Sequence, residues 1–357
     1  MVLWSSTTDR RDHHTPLGSR FLSLGSNDGS MDVGLMVTSF GDVNLGDIAV
    51  RAEAQGYDAV WVGELWGESG VVQATEMACR TDEIGIGTAI LNVYSRSPAV
   101  LAMTATSLAR ASEGRFTLGL GTSTATAVEG LHGMAFDRPV RRAHETIELI
   151  REFTAGTGDP VEYEGEVLEA ANFPSVETDV PIYHAGLGPA NRRVVGRLCD
   201  GWIPHNIPFS RLEDAFEEVA TAARERDREP DEITIAPYVP SAVSEEPADA
   251  RETLRRHVAY YVGSGEGYRR AVATAFPTAA DRIAEAWREG DKRAAASAVT
   301  DDMIADLGVA GTPEEAREQL RTLVAETGID HPIVVVPEPA SSEVTETTIE
   351  ALAPDRL

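Results

Sequence analysis

From residue 31 onward, apolar runs of four to seven residues alternate with amphipathic stretches of ten or more. Strands buried on both faces read as near-continuous apolar runs, and parallel neighbours need a helix-length crossover between them. Candidate strands fall at 32–37, 58–62, 84–90, 115–120, 181–185, 201–204, 232–238 and 332–336. Candidate helices fall at 45–55, 69–80, 98–111, 138–153, 189–198, 210–227 and 313–326. The last helix opens on Thr312-Pro313-Glu314-Glu315, a capping residue followed by proline at the first helical position. Eight strands with intervening helices predict an α/β fold, a closed (β/α)8 TIM barrel rather than an open doubly wound sheet. Two insertions interrupt the repeat. Val161 to Leu168 alternates apolar and polar residues around Gly165, which predicts a hairpin after the fourth strand. Residues 239–311 carry several helical pieces after the seventh strand, which predicts a small subdomain over one rim.

The barrel is expected over 31–338. Residues 1–30 lack periodicity and an apolar signal-peptide core, so they read as a disordered N-terminal extension, and the protein is expected in the cytoplasm. Residues 339–357 read as an acidic C-terminal tail or helix. No apolar run approaches the roughly 18 residues that span a bilayer.

Charge changes the picture more than composition does. Against 58 acidic residues stand 31 basic ones, a formal net charge of −27, and Lys292 is the single lysine. Such a surface repels nucleic acid, and its self-repulsion is screened only by concentrated salt, which points to a high-salt cytoplasm. Cys79 and Cys199 lie in no metal-ligand spacing and read as two buried free thiols; no metal site is expected.

In a parallel barrel the site lies where strands end at their carboxyl side. The fifth strand runs into His184-Ala185-Gly186-Leu187-Gly188-Pro189, a strand-glycine-helix junction that offers backbone N–H groups at a helix N-terminus, suited either to a phosphate or merely to a tight turn. Gly119-Leu120-Gly121-Thr122-Ser123 ends the fourth strand without the lysine of a P-loop or the spacing of a dinucleotide fold. Glu64 closes the second strand, a place where a carboxylate can act as an acid or hold a cofactor ring. His184 and His205 end strands five and six and are the second candidates for proton transfer. His132, Arg141 and Arg142 are further polar candidates, with arginine the available phosphate clamp.

The run Gly87-Thr88-Ala89-Ile90-Leu91-Asn92-Val93-Tyr94-Ser95-Arg96-Ser97-Pro98-Ala99, followed by Gly114 to Gly121, resembles the luciferase-like monooxygenase family in its deazaflavin-dependent branch. Val128 to Gly133, Arg138-Pro139 and Ile182 to Trp202 match in the same order, so the resemblance covers about residues 31 to 338. It implies coenzyme F420 lying across the carboxyl-end face, with FMN as the alternative cofactor of a monooxygenase. It also implies a non-prolyl cis peptide at Ala89–Ile90 behind the ring, phosphate contacts at Gly186, Leu187, Gly188 and Pro189, and further contacts at Gly121, Thr122 and Ser123. The chain resembles the methylenetetrahydromethanopterin reductases, with two departures. Met36 and Thr124 stand where those enzymes carry carboxylates, and Glu64-Leu65 stands where another group has Asp-His. The reading is therefore an F420-dependent oxidoreductase moving hydride to or from a small substrate, a methylene-tetrahydropterin or folate analogue being one candidate. A homodimer or higher homo-oligomer is expected. A flavin monooxygenase and a non-catalytic ligand-binding barrel remain open beside it.

Overall fold

The computed structural model describes residues 31–37 and 44–357. The extension expected over 1–30 lies outside them. Eight barrel strands appear in parallel register: Gly34–Val37, Ala59–Val62, Gly85–Thr88, Phe116–Gly121, Ile182–His184, Gly201–Trp202, a two-piece seventh strand, and Ile333–Val336. The seventh runs as Thr234–Ile235 and Tyr238–Val243, and its two pieces close the barrel. Thr234 pairs with Gly201 of strand six, while Tyr238 pairs with Ile333 of strand eight. Strand eight in turn pairs with strand one, Gly34 opposite Ile333.

Strand interiors alternate, as the two-residue period requires. Met36, Ala59, Trp61, Ala89, Tyr183, Ile203, Ala236, Ile333 and Val335 point inward and fill the barrel. Leu35, Val60, Ile86, Leu118, Ile182 and Val334 point outward against the helices. Trp61 sets the interior packing. A Cβ at Gly87 would lie 2.2 Å from its indole, and one at Gly34 would lie 2.6 Å away, so the neighbouring strands are glycine where the ring passes. Below it, Trp61 Nε1 donates to His331 Nε2 at 3.0 Å, and His331 Nδ1 faces Asp32 at 3.2 Å, which closes the floor with polar partners satisfied.

The helices follow their sequence signals. Helix Pro313–Thr327 carries the complete capping box, Thr312 Oγ1 accepting from Glu315 N and Glu315 accepting from Thr312 N. The hairpin pairs Pro160–Glu164 with Glu169–Pro174, and its turn is gripped from the barrel side by buried Glu145, which accepts from the amides of Glu166, Val167 and Leu168.

Two expectations need correction. The insertion after strand seven does not begin at 239, because the strand continues to Val243 and the short strand Val309–Gly311 pairs with it, Ser241 opposite Val309. Pro240 concealed that continuation, since a proline without an N–H marks a strand as broken. Residues after Pro339 take the helical alternative: helix Ser342–Ala351 packs on the barrel, with Tyr57 Oη donating to Ile349 O and Val243 N donating to Thr348 Oγ1, both at 2.9 Å. Of the two free thiols only Cys199 is buried, and Cys79 is exposed on helix Gly70–Arg80.

The insertion proper has its own core of Leu254, Val258, Val262, Ile283, Met303 and Leu307, contributed by helices Pro247–Ser264, Pro277–Arg288 and Asp301–Leu307. Its first helix and the short helix Glu266–Val272 bring His257, Tyr261 and Tyr268 over His205 at the end of strand six. Among the described residues no helix is long and apolar enough to cross a membrane, and no metal-ligand cluster is found.

Candidate active site

The centre of the carboxyl-end face is the cis peptide Ala89–Ile90, at the position the resemblance implied. Ala89 N donates to Val62 O at 2.8 Å, the Ala89 carbonyl accepts from the Tyr238 hydroxyl, and the Ile90 carbonyl accepts from Glu64 N at 3.3 Å. Strands two, three and seven thus meet on one peptide unit. Thr88 supplies the link to strand four, its Oγ1 donating to Gly119 O and accepting from Gly119 N. A Cβ at Gly119 would come within 1.7 Å of Thr88 O, and one at Gly121 within 2.9 Å of Ile90 Cδ1. Both glycines of that loop are therefore explained by close packing. Thr122 and Ser123, half-buried, follow at the rim, and Ser123 holds a φ of 56°, a left-handed backbone rare for a non-glycine residue and found most often at functional turns.

Gly188 differs. It precedes helix Pro189–Leu198 with a φ of −98° that any residue adopts, and a Cβ built on it would meet nothing within 4 Å. Neither backbone angle nor packing calls for glycine there. What the position does offer is open space beside its own Cα, at the start of a helix whose Ala190 and Asn191 amides have no acceptor within it. That is the geometry of an anion site. Gly186 is packed on Asn191 and Val195, with its carbonyl held by Trp202 Nε1 at 2.8 Å. Leu187 touches the insertion at Gly267.

His184 lies beneath this loop, fully buried, and does not face the mouth. Its Nδ1 is 3.1 Å from Leu120 O and its Nε2 3.2 Å from Asn191 Oδ1. Burial pulls its pKa down more than these partners raise it, so the ring is neutral, donating from Nδ1 to the carbonyl and accepting at Nε2 from an Asn191 amide turned to present its NH2. It positions the glycine loop against strand four.

Glu64 corrects the expected acid. Its carboxylate receives both arms of Arg96, at 2.5 and 2.8 Å, and the amide of Gly70 at 2.9 Å. Burial alone would raise its pKa, but the Arg96 hydrogen bonds, the Arg96 charge and the Gly70 amide outweigh it and hold the group below the usual carboxylate range. An ionised, bidentate carboxylate has no proton to give at neutral pH. It ties the loop after strand two to the loop after strand three and caps helix Gly70–Arg80. Sequence reasoning missed this because Arg96 lies 32 residues away.

The arginine clamp is also committed elsewhere. Arg141 pairs with Glu145 at 2.8 Å and Glu166 at 2.7 Å, and Arg142 lies over the Tyr94 ring at 5.0 Å. His132 sits 3.2 Å from Asn92 Nδ2, while Asn92 Oδ1 accepts from the amides of Tyr94 and Ser95.

His205 is the predicted residue that the structure leaves available. Its ring is surrounded by Tyr238 at 4.7 Å, Tyr261 at 4.4 Å, Tyr268 at 5.3 Å and His257 at 6.2 Å between centroids. The Nε2 atoms of His205 and His257 and the Nδ2 atom of Asn206 are buried without a hydrogen-bond partner. Burial, then proximity to His257, holds the His205 pKa well below its ordinary value, and burial brings His257 to about 4. None of the three tyrosines was singled out in the sequence. The available signal was His257 and Tyr261 at i and i+4, which share a helix face.

The family model for luciferase-like monooxygenases matches residues 32–331. A 5,10-methylenetetrahydromethanopterin reductase of Methanolobus tindarius is 29% identical over 280 residues, covering 77% of this chain and 85% of the reductase. An F420-dependent glucose-6-phosphate dehydrogenase of Amycolatopsis mediterranei is 34% identical over 180 residues, covering 46% of this chain and 54% of the dehydrogenase. Among solved structures, the coenzyme F420-dependent tetrahydromethanopterin reductase of Methanopyrus kandleri has the same fold, with a TM-score of 0.77 at 22% identity over 91% of this chain and 98% of that one. This (β/α)8 barrel is an oxidoreductase and belongs to the luciferase-like monooxygenase family.

Proposed function

We propose that the protein is a coenzyme F420-dependent oxidoreductase that transfers hydride between the deazaflavin and a small substrate. The observation that carries this reading is Gly188, a glycine without a packing or backbone reason, standing before a helix N-terminus with open space in front of it. When bound, the deazaflavin supplies the two-electron hydride chemistry. The chain's residues would hold it: Gly186 to Pro189 at a phosphate, Thr122 and Ser123 at the rim with Gly121 below them, and the Ala89–Ile90 peptide behind the ring, fixed by Tyr238 and by the Glu64 backbone. Asn206, next to His205 in the chain, carries an unpartnered buried amide nitrogen. The relatives' activity makes a methylene-tetrahydropterin or a folate analogue the substrate to try first.

Equilibrium titration with oxidised coenzyme F420 and with FMN, in concentrated potassium chloride, tests the assignment. F420 binding well ahead of FMN supports it. Preferential FMN binding with oxygen uptake makes the chain a flavin monooxygenase, and binding of neither leaves a non-catalytic barrel.

The protein is also read as a cytoplasmic homo-oligomer adapted to high salt. The formal charge of −27 must be screened before burial dominates, and arginines pair with exposed carboxylates, as in Arg51–Glu346 and Arg269–Asp281. The melting temperature is expected to rise by about 10 °C or more between about 0.1 M and about 3 M potassium chloride. An unchanged melting temperature would remove the high-salt reading.

A further inference from the structure

We propose that the outer face of helices Gly70–Arg80 and Pro98–Ala111 is where a second copy of this chain docks about a two-fold axis. The inference rests on the homo-oligomer reading and gives it a face and a symmetry.

The distribution of exposed apolar side chains comes first. Among the described residues every large hydrophobic side chain left exposed, Tyr260 apart, lies between residues 50 and 176, so one side of the barrel carries them and the other does not. Val72 is 66% exposed and Met103 60%. Val100, Met103, Ser107 and Arg110 recur at steps of three and four residues, which aligns them as one exposed stripe along their helix. Val72, Thr75 and Cys79 form a second stripe on the helix packed beside it. The face continues past the helices: Thr178 Oγ1 lies 3.1 Å from Thr106 Oγ1, which brings exposed Val176, at the end of the hairpin, next to the first stripe. Exposed apolar side chains gathered in one place mark an interaction site, whereas scattered ones do not.

Charge selects the occupant. Of the 58 acidic residues none falls between Ile84 and Ser112, so helix Pro98–Ala111 presents no carboxylate. Two copies at −27 repel, and they repel least where a face free of carboxylates meets another such face. The ends of the face carry opposite charge. Both helices follow parallel strands and run from the mouth of the barrel toward its floor. At the floor end stands exposed Arg110, which has no carboxylate partner among the described residues. At the mouth end stands exposed Glu68, four residues before Val72.

A two-fold axis perpendicular to the helices exchanges those ends. It brings Arg110 of each copy toward Glu68 of the other and leaves Val72, Val100 and Met103 between them. A surface with its charges disposed in this way is complementary to itself, as an isologous interface must be. The same axis turns the two mouths to opposite sides of the dimer, so neither copy reaches into the other's site.

The test is light scattering across a dilution series in concentrated potassium chloride, run beside the rate at which Cys79 reacts with a maleimide. Cys79 is exposed in the single chain and lies on the second stripe, whereas Cys199 is buried. A dimer is expected, with Cys79 labelling about tenfold more slowly than after dilution to the monomer. Met103→Glu puts an unpaired carboxylate in each half of the face and should raise the dissociation constant about 100-fold or more while the circular dichroism stays that of the parent. Tyr260→Glu, exposed but off the face, should change it less than about threefold. Arg110→Glu should weaken the dimer and the added Glu68→Arg should restore it, a readout that with the Cys79 rate stands even where Met103→Glu fails to fold. A dimer that withstands Met103→Glu, a labelling rate unmoved by dilution, or a charge exchange that restores nothing overturns this face and leaves the homo-oligomer reading in place. A parent that is monomeric throughout the series overturns both.

Discussion

Replacing Gly188 by aspartate is expected to weaken binding of oxidised coenzyme F420 by about 100-fold or more while leaving the melting temperature within about 2 °C of the parent. The first expectation follows from charge. A carboxylate and a phosphate held about 4 Å apart at a protein surface repel by about 4 kcal/mol at an effective dielectric constant near 20, and about 1.4 kcal/mol corresponds to tenfold in affinity. The second follows from local geometry, since the residue has an ordinary φ of −98° and nothing stands within 4 Å of the new Cβ. An aspartate before a helix N-terminus is in itself favourable for the helix. Gly188→Ala separates size from charge: it fills the same space without repulsion and should cost less than about tenfold. Parent-like F420 affinity in the folded aspartate variant would move the phosphate elsewhere on the barrel rim.

The barrel was legible because its eight strands announce themselves one at a time. Parallel strands packed on both faces need apolar runs, and those runs survive translation into a single sequence. The register of the ends is legible for the same reason, so Glu64, His184 and His205 all fall at strand termini in the sequence. Their environments were not legible. Whether a strand-end carboxylate is free depends on Arg96, 32 positions on, and the surroundings of a strand-end histidine depend on distant elements: His184 is held by Leu120 O and Asn191, and His205 is packed against Tyr261. Gly119 and Gly121 looked like a ligand loop and are consumed by Thr88 and Ile90, whereas Gly188 looked the same and is not. The roof was invisible because Tyr261 and Tyr268 belong to an insertion whose helices could have packed on either rim.

Acid should destabilise the protein sooner than its carboxylates would suggest. His184, His205 and His257 are buried, and each has its pKa depressed, first of all by that burial, His257 to about 4. In the unfolded chain they titrate near 6.5. A folded-state pKa below the unfolded value means that the unfolded chain binds more protons, so stability is complete above about pH 6.5 and is lost as pH falls toward the folded values. Below that point His257, held at about 4, removes about 1.4 kcal/mol per pH unit, and His184 and His205 act in the same direction. Ordinary carboxylates titrate nearer pH 4, and their protonation lessens the repulsion of a chain at −27, so in this window they do not account for a loss. Denaturant unfolding in concentrated potassium chloride at about pH 7.5, 6.5, 6 and 5 reads the slope directly, and His257→Gln should reduce it by about one proton without changing stability at pH 7.5 by more than about 1 kcal/mol. A flat profile from pH 6.5 to 5 would mean that these imidazoles reach water or a partner in the folded state, and the enclosure around His205 would then be an open one.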